Sequence, residues 1–287
     1  MKKKLLNISA KIDPFTLEVL TLVSDAANSL NIDFFVIGAA ARDIILKLVY
    51  DINIYRSTND IDFSIRAKNW NNYNKLIDEL LKKGFSASKI IHKFSYKSVP
   101  GIDIIPFGMI SNNSEFIVWP DKQTKQMSVL GFEECFSDSE SIIISNNPQI
   151  IVKVASTRSL VIMKLISWID GFPSRIRDAN DIYFIIKNYI STGNEERLYN
   201  ENNDLIDDDF DFVLTGATLL GRDISKLANK KTLSFLKNLL DTEIKKGIDS
   251  KFINDMITGE VLIDLDKFDS NKINSLKLIK NLDSVLI

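Results

Sequence analysis

Asp60 and Asp62, in the stretch STNDIDFSI, are two carboxylates one residue apart in a run otherwise suited to burial. Side chains alternate across a strand, so the two aspartates share one face while Ile61 and Phe63 take the other. Ionised carboxylates this close repel each other, and partial desolvation raises the cost unless a cation sits between them. Magnesium suits the arrangement, because it takes one or two carboxylates and completes its shell with water and substrate phosphate oxygens. Asp103, in GIDIIPF, is a third acid in a second apolar run. If the two runs pair as strands, three carboxylates converge, enough to hold two metal ions that act on an attacking hydroxyl and a triphosphate. A D-x-D pattern alone, being short and common, is better explained by an exposed edge strand. The glycine turn upstream and the strand aspartate downstream tip the reading to metal.

That turn lies in VIGAAARD, where Gly38 closes an apolar run and opens a helix-favouring one. Backbone amides there can meet phosphate oxygens at the positive end of a helix. Ala39, Ala40 and Ala41 stand where a dinucleotide fingerprint needs further glycines, which disfavours a Rossmann oxidoreductase. Arg42 and Arg56 flank the segment, and either touches phosphate or, for Arg42, simply pairs with Asp43 or caps its helix.

The elements that must hold these residues follow from periodicity. FTLEVLTLVSDAANSL predicts a helix, FFVIG a buried strand, AAARDIILKLVY a second helix, DIDFSI a strand, and NWNNYNKLIDELLKKGF an amphipathic helix ending at Gly84. KFSYKS and GIDIIPFG predict strands, and EFIVWPD, MSVLGFEECF and SIIIS predict further short strands and turns. Beyond residue 155 the segments TRSLVIMKLISWID, DANDIYFIIKNYI, FDFVLTGATLLGRDISKL and KTLSFLKNLLDTEIKK carry helical spacing. The expected architecture is a mixed-sheet domain over 1–153 followed by a mainly helical domain over 154–287.

Composition bounds the rest. The 287 residues are 45% hydrophobic, ample for a core, and 36 basic against 38 acidic residues leave a formal net charge of −2. A polyanion partner is therefore held by a local patch or not at all. Cys135 is the sole cysteine, which excludes an internal disulfide and favours a cytoplasmic address, and no apolar run predicts a signal peptide or a membrane span. His92 is the sole histidine, ruling out histidine-cluster zinc sites, and its expected place is the surface beside Lys93. Trp70, Trp119 and Trp168 are expected as packing anchors, and Cys135 as a small, partly buried apolar residue. Asp264, Asp266 and Asp269 in DLDKFD lack the glycine and terminal glutamate of a calcium loop. The lysines at 82, 83, 89, 93 and 97 are either solubilising or part of a basic patch.

Taken together, VIGAAARD, TNDIDFSI, GIDIIPFG, the WPD and MSVLGFEE segments, VASTRSLVIMKLISWID and RDANDIYFIIKNY resemble the nucleotidyltransferase superfamily typified by DNA polymerase β. More narrowly, they resemble the AbiEii/AbiGii-type toxin nucleotidyltransferases of bacteria. The resemblance implies an α+β, polymerase β-like catalytic domain with a mixed sheet flanked by helices, and a helical remainder that binds nucleotide and acceptor. It carries metal binding to Asp60 and Asp62, and to Asp103 as the third acid. It places Gly38 and Ala39 at a phosphate turn where the family often has Gly-Gly or Gly-Ser. It also implies that Lys164 neutralises triphosphate charge, with Asp178 and Asp181 in the family's aspartate motif. The two aspartates, three apart on one helical face, can orient Lys164, Arg175 or Arg177, or Asp178 simply favours the helix dipole. The implied activity is magnesium-dependent transfer of a nucleoside monophosphate from an NTP to an acceptor. The first acceptor is the 3′ end of tRNA or another RNA, and the second a protein hydroxyl. The implied role is a growth-arresting toxin, with an antitoxin protein as partner. The rivals are phosphorylation of protein and a catalytically silent nucleotide- or RNA-binding module.

Overall fold

The computed structural model describes residues 5–113, 115–120, 126–261 and 268–286. The chain divides into two compact units, Met1–Ser156 and Thr157–Ile287.

The first unit runs β1 (Leu6–Asn7), α1 (Pro14–Ser29), β2 (Asp33–Ile37), α2 (Gly38–Asp43), β3 (Ile61–Arg66), α3 (Trp70–Lys82), β4 (Phe85–Ala87), β5 (Lys93–Tyr96) and β6 (Val99–Phe107). It continues through β7 (Phe116–Ile117), β8 (Met127–Ser128), α4 (Phe132–Asp138), β9 (Glu140–Asn146) and β10 (Gln149–Val154). Local chemistry sets the helix starts: the Asp13 side chain accepts from the Thr16 N–H at 2.9 Å with Pro14 opening α1, and Asn69 does the same for α3 at 2.9 Å. Past Asp43 the helix widens into a π-helical segment, Ile44–Val49, rather than running on as regular α-helix.

Eight strands form one mixed sheet in the order β1-β9-β10-β2-β3-β6-β5-β4. β2 and β3 pair antiparallel, β3 and β6 parallel, and β6 and β5 antiparallel. Phe35 of β2 packs edge-on to Phe107 of β6 and Phe136 of α4, each at 5.6 Å between ring centres, and all three are buried. These contacts fix the central strands against one face of the helical layer, so the order of the acids along β3 and β6 is held by the core.

FEECF, expected as strand and turn, is helical, forming most of α4. Glu133 and Glu134 fall in the first turn, where acids favour the helix dipole, and Gly131 at φ +80° opens it. His92, expected at the surface, is buried with its ring centre 5.1 Å from that of Trp119, itself 1% exposed. Cys135 is fully buried.

The second unit is helical: α5 (Thr157–Asp170), α6 (Ile176–Asn188), α7 (Glu195–Glu201), α8 (Phe212–Leu227), α9 (Lys230–Lys245), α10 (Lys251–Val261) and α11 (Phe268–Asp283). Asp211 and Asn229 cap α8 and α9, each side chain accepting from two backbone N–H groups. Inside it, Asp223 of α8 accepts from the Tyr189 hydroxyl at 2.5 Å and from Arg197 at 2.7 and 3.0 Å. No described helix is long and apolar enough to cross a membrane.

Candidate active site

Pairing across the sheet lines up one row of residues: Ile37 on β2 lies opposite Asp62 on β3, Asp62 opposite Asp103 on β6, and Asp103 opposite Lys93 on β5. Directly opposed residues project on the same side of a sheet, so the row carries two carboxylates and one ammonium side by side. Asp60 precedes β3 by one residue and is exposed, while Asp62 and Asp103 are half-buried.

Each of the two paired aspartates rests on a glycine. A Cβ placed on Gly38 would fall 2.0 Å from Asp62 Oδ2, and one on Gly101 would fall 2.2 Å from Asp60 Oδ1. Both glycines also hold left-handed backbone, at φ +68° and +97°. Gly38 therefore does more than turn the chain, since its missing side chain is the space the Asp62 carboxylate occupies. Gly101 is a residue that the sequence reading passed over. The signal was present, a glycine two residues before Asp103 inside a strand, which marks a close approach by something else.

Asp60 is set by a relay of hydrogen bonds from α2. Arg42 is fully buried, donates to Asp43 Oδ1 through Nε at 2.8 Å, and donates to the Arg56 carbonyl at 2.9 Å. Asp43 Oδ2 accepts from the Thr58 N–H at 3.2 Å, and the Thr58 hydroxyl oxygen accepts from the Asp60 N–H at 3.0 Å. Of the alternatives for Arg42, pairing with Asp43 is the one seen. Its guanidinium also lies 5.5 Å from the Tyr55 ring centre, so it clamps the loop that delivers Asp60. Arg56 is half-buried beside the same ring, with Nε 3.1 Å from the Tyr55 hydroxyl.

The three acids do not converge on one point. Among the described residues no three Asp, Glu, His or Cys side chains gather in an arrangement that holds an ion. Register brings Asp103 beside Asp62, yet its carboxylate is engaged by Lys93, whose Nζ lies 3.0 Å from Oδ2 and 3.2 Å from Oδ1. The donor set fits magnesium all the same: Asp60 and Asp62 offer oxygen ligands alone, from two carboxylates packed over glycine backbone, which is what the ion takes when water and phosphate complete its shell.

In the second unit the structure joins the other predicted residues. Lys164 is buried, and its Nζ lies 2.6 Å from Asp181 Oδ2 and 3.1 Å from Asp178 Oδ1. Arg175 donates through Nε to the second Asp178 oxygen at 2.6 Å. Burial of all three side chains excludes a lysine reaching out from a helix edge. The cluster is an interior charge network whose ammonium, with three N–H donors, is held by two carboxylates. Asp121 of the WPD segment, and Asp264 and Asp266 of DLDKFD, lie outside the described residues.

A cleft of about 340 Å³ lies at the other end of β2 and β3, lined among others by Asp33, Arg66, Lys68 and Glu133. Arg66 already pairs with Glu133 at 3.0 Å, and the cleft includes none of the aspartates of the row.

Residues 22–270 match the family described as nucleotidyl transferase AbiEii toxin, type IV TA system. No curated protein sequence matches. Among solved structures, an antigenic nucleotidyltransferase-like protein from Paracoccidioides brasiliensis aligns at 19% identity and TM-score 0.38, over 66% of this chain and 89% of that one. ANT(2″)-Ia in complex with adenylyl-2″-tobramycin aligns at 12% identity and TM-score 0.39, over 64% and 93%. The Thermotoga maritima CCA-adding enzyme complexed with tRNA aligns at 11% identity and TM-score 0.26, over 98% and 84%.

Proposed function

We propose that this chain, which belongs to the AbiEii nucleotidyl transferase toxin family and is a nucleotidyltransferase of α+β fold, moves a nucleoside monophosphate from an NTP to the 3′ end of tRNA or another RNA. In this reading the transfer arrests growth and an antitoxin protein opposes it. One observation supports the placement of the chemistry above all others: Asp60 and Asp62 each sit on a left-handed glycine, so the fold reserves space for each carboxylate.

Asp60 and Asp62 would hold magnesium, which when bound offsets triphosphate charge and makes the attacking hydroxyl more acidic. The protein's own groups do the rest. Gly38 and Ala39 let backbone approach the phosphates, and the relay from Arg42 through Asp43 and Thr58 holds Asp60 in place. Asp103 accepts the proton of the acceptor hydroxyl, whose oxygen attacks the α-phosphorus as pyrophosphate leaves, a role supported by its register beside Asp62. In the helical unit Lys164 is held by Asp178 and Asp181, and family membership supports a role for it in offsetting triphosphate charge.

The deciding experiment incubates purified protein and magnesium with each α-labelled NTP, total tRNA and cell extract, and repeats it with Asp60→Asn and Asp62→Asn. The expected result is label in RNA, reduced at least about 100-fold in either variant. Label in protein would move the acceptor to a protein hydroxyl. Label that persists in both variants would remove the metal assignment.

A further inference from the structure

We propose that Lys93 is a positioning residue for Asp103, an internal cation that competes with divalent metal for that carboxylate. It thereby sets how many acids of the site are open to metal. The inference rests on the reading of Asp60 and Asp62 as metal ligands given above.

The sheet register carries it. Lys93 is the last member of the row Ile37, Asp62, Asp103, Lys93, and its Nζ touches both oxygens of Asp103, at 3.0 and 3.2 Å. An ammonium in contact with both oxygens competes with any divalent ion for that carboxylate. It explains why Asp62 and Asp103 tolerate adjacency: of the two neighbouring charges, one is neutralised from within. The contact is exchangeable, because the Lys93 side chain is 46% exposed and that of Asp103 21%, and pairs this wet are weak. A doubly charged ion, or a triphosphate that draws the ammonium away, can therefore release Asp103. In the resting protein Asp103 is held by its own internal cation.

Nothing in the sequence marks Lys93 out from Lys89 or Lys97 nearby, since its partner is ten residues away and found only through strand pairing.

The test is calorimetric titration of manganese(II), without nucleotide, into the full-length protein, Lys93→Met, Lys93→Arg, Asp103→Asn and the Lys93→Met/Asp103→Asn double variant. Lys93→Met is expected to bind manganese about fivefold more tightly, the scale of a partly exposed ion pair. Lys93→Arg, which keeps the charge and the pair, is expected to match the wild type. The gain should vanish in the double variant. A gain that survives without Asp103 would show a through-space charge effect and overturn the proposal, as would equal or weaker binding by Lys93→Met. Failure of the underlying metal site looks different: no manganese binding by the wild type, or binding unchanged by Asp60→Asn and Asp62→Asn, removes the site and the proposal together.

Discussion

Gly38 answers to two constraints, a left-handed backbone at φ +68° and the Asp62 carboxylate lying where a side chain would begin. Gly38→Ala therefore has to move Asp62 as well as strain the turn. It is expected to cost about 1–3 kcal/mol in stability and to weaken manganese binding, as read by thermal melts and calorimetry. Unchanged manganese affinity would mean that Asp62 can give way without consequence. The strand that carries Asp62 was legible in the sequence, because apolar alternation is a local fact, whereas Asp60, expected in the same strand, falls one residue before it. Gly38 was legible as a turn but not as the floor beneath Asp62, which needs the β2–β3 pairing. Gly101 and Lys93 gained meaning only from partners across strand pairs. His92 was misplaced because a polar type beside a lysine says nothing about Trp119, which covers it from 27 residues away in the chain (119 − 92).

At the scale of elements, helices α1, α3, α5, α6, α8 and α9 could be read from the sequence, since all but α5, which is buried nearly all round, bury one face and several announce their starts with Asp or Asn caps. α4 could not, because at seven residues it is too short to show a period and its aromatic content suits a strand. The end of α11 makes a test of pH dependence. Burial pushes the Asp283 carboxyl above the usual carboxylate range, Asp241 adds to the rise, and Lys237 of α9, 2.7 Å away, offsets it only in part. With its folded pKa raised, the folded chain retains a proton there that the unfolded chain has already released. This carboxyl thus favours folding at low pH, and that contribution is lost as pH rises through the raised value. Asp283→Asn, permanently neutral, is expected to melt above the wild type at pH 7, with the gap closing as the pH falls toward about 4. A gap that stays constant across that range would assign it to packing.

At the scale of the whole molecule, 36 basic and 38 acidic residues leave no general attraction for nucleic acid, so the RNA acceptor of the proposed function would be gripped by a few cations. Binding of total tRNA, followed by anisotropy across a salt series, is expected to give a log–log slope of only about −2 to −4, against the about −10 of proteins that track many phosphates. A steep slope would reveal a basic track that the balanced composition conceals. The floor beneath the aspartates is set by close fit instead. There the pairing of Gly38 with Asp62, and of Gly101 with Asp60, ties four positions into two inherited units. A copy of this gene that lost Asp62 to a small residue would free position 38 of its spatial constraint alone, since the left-handed backbone would still favour glycine there. A side chain at position 38 would thus be a sign that the space beneath residue 62 is no longer claimed by a carboxylate.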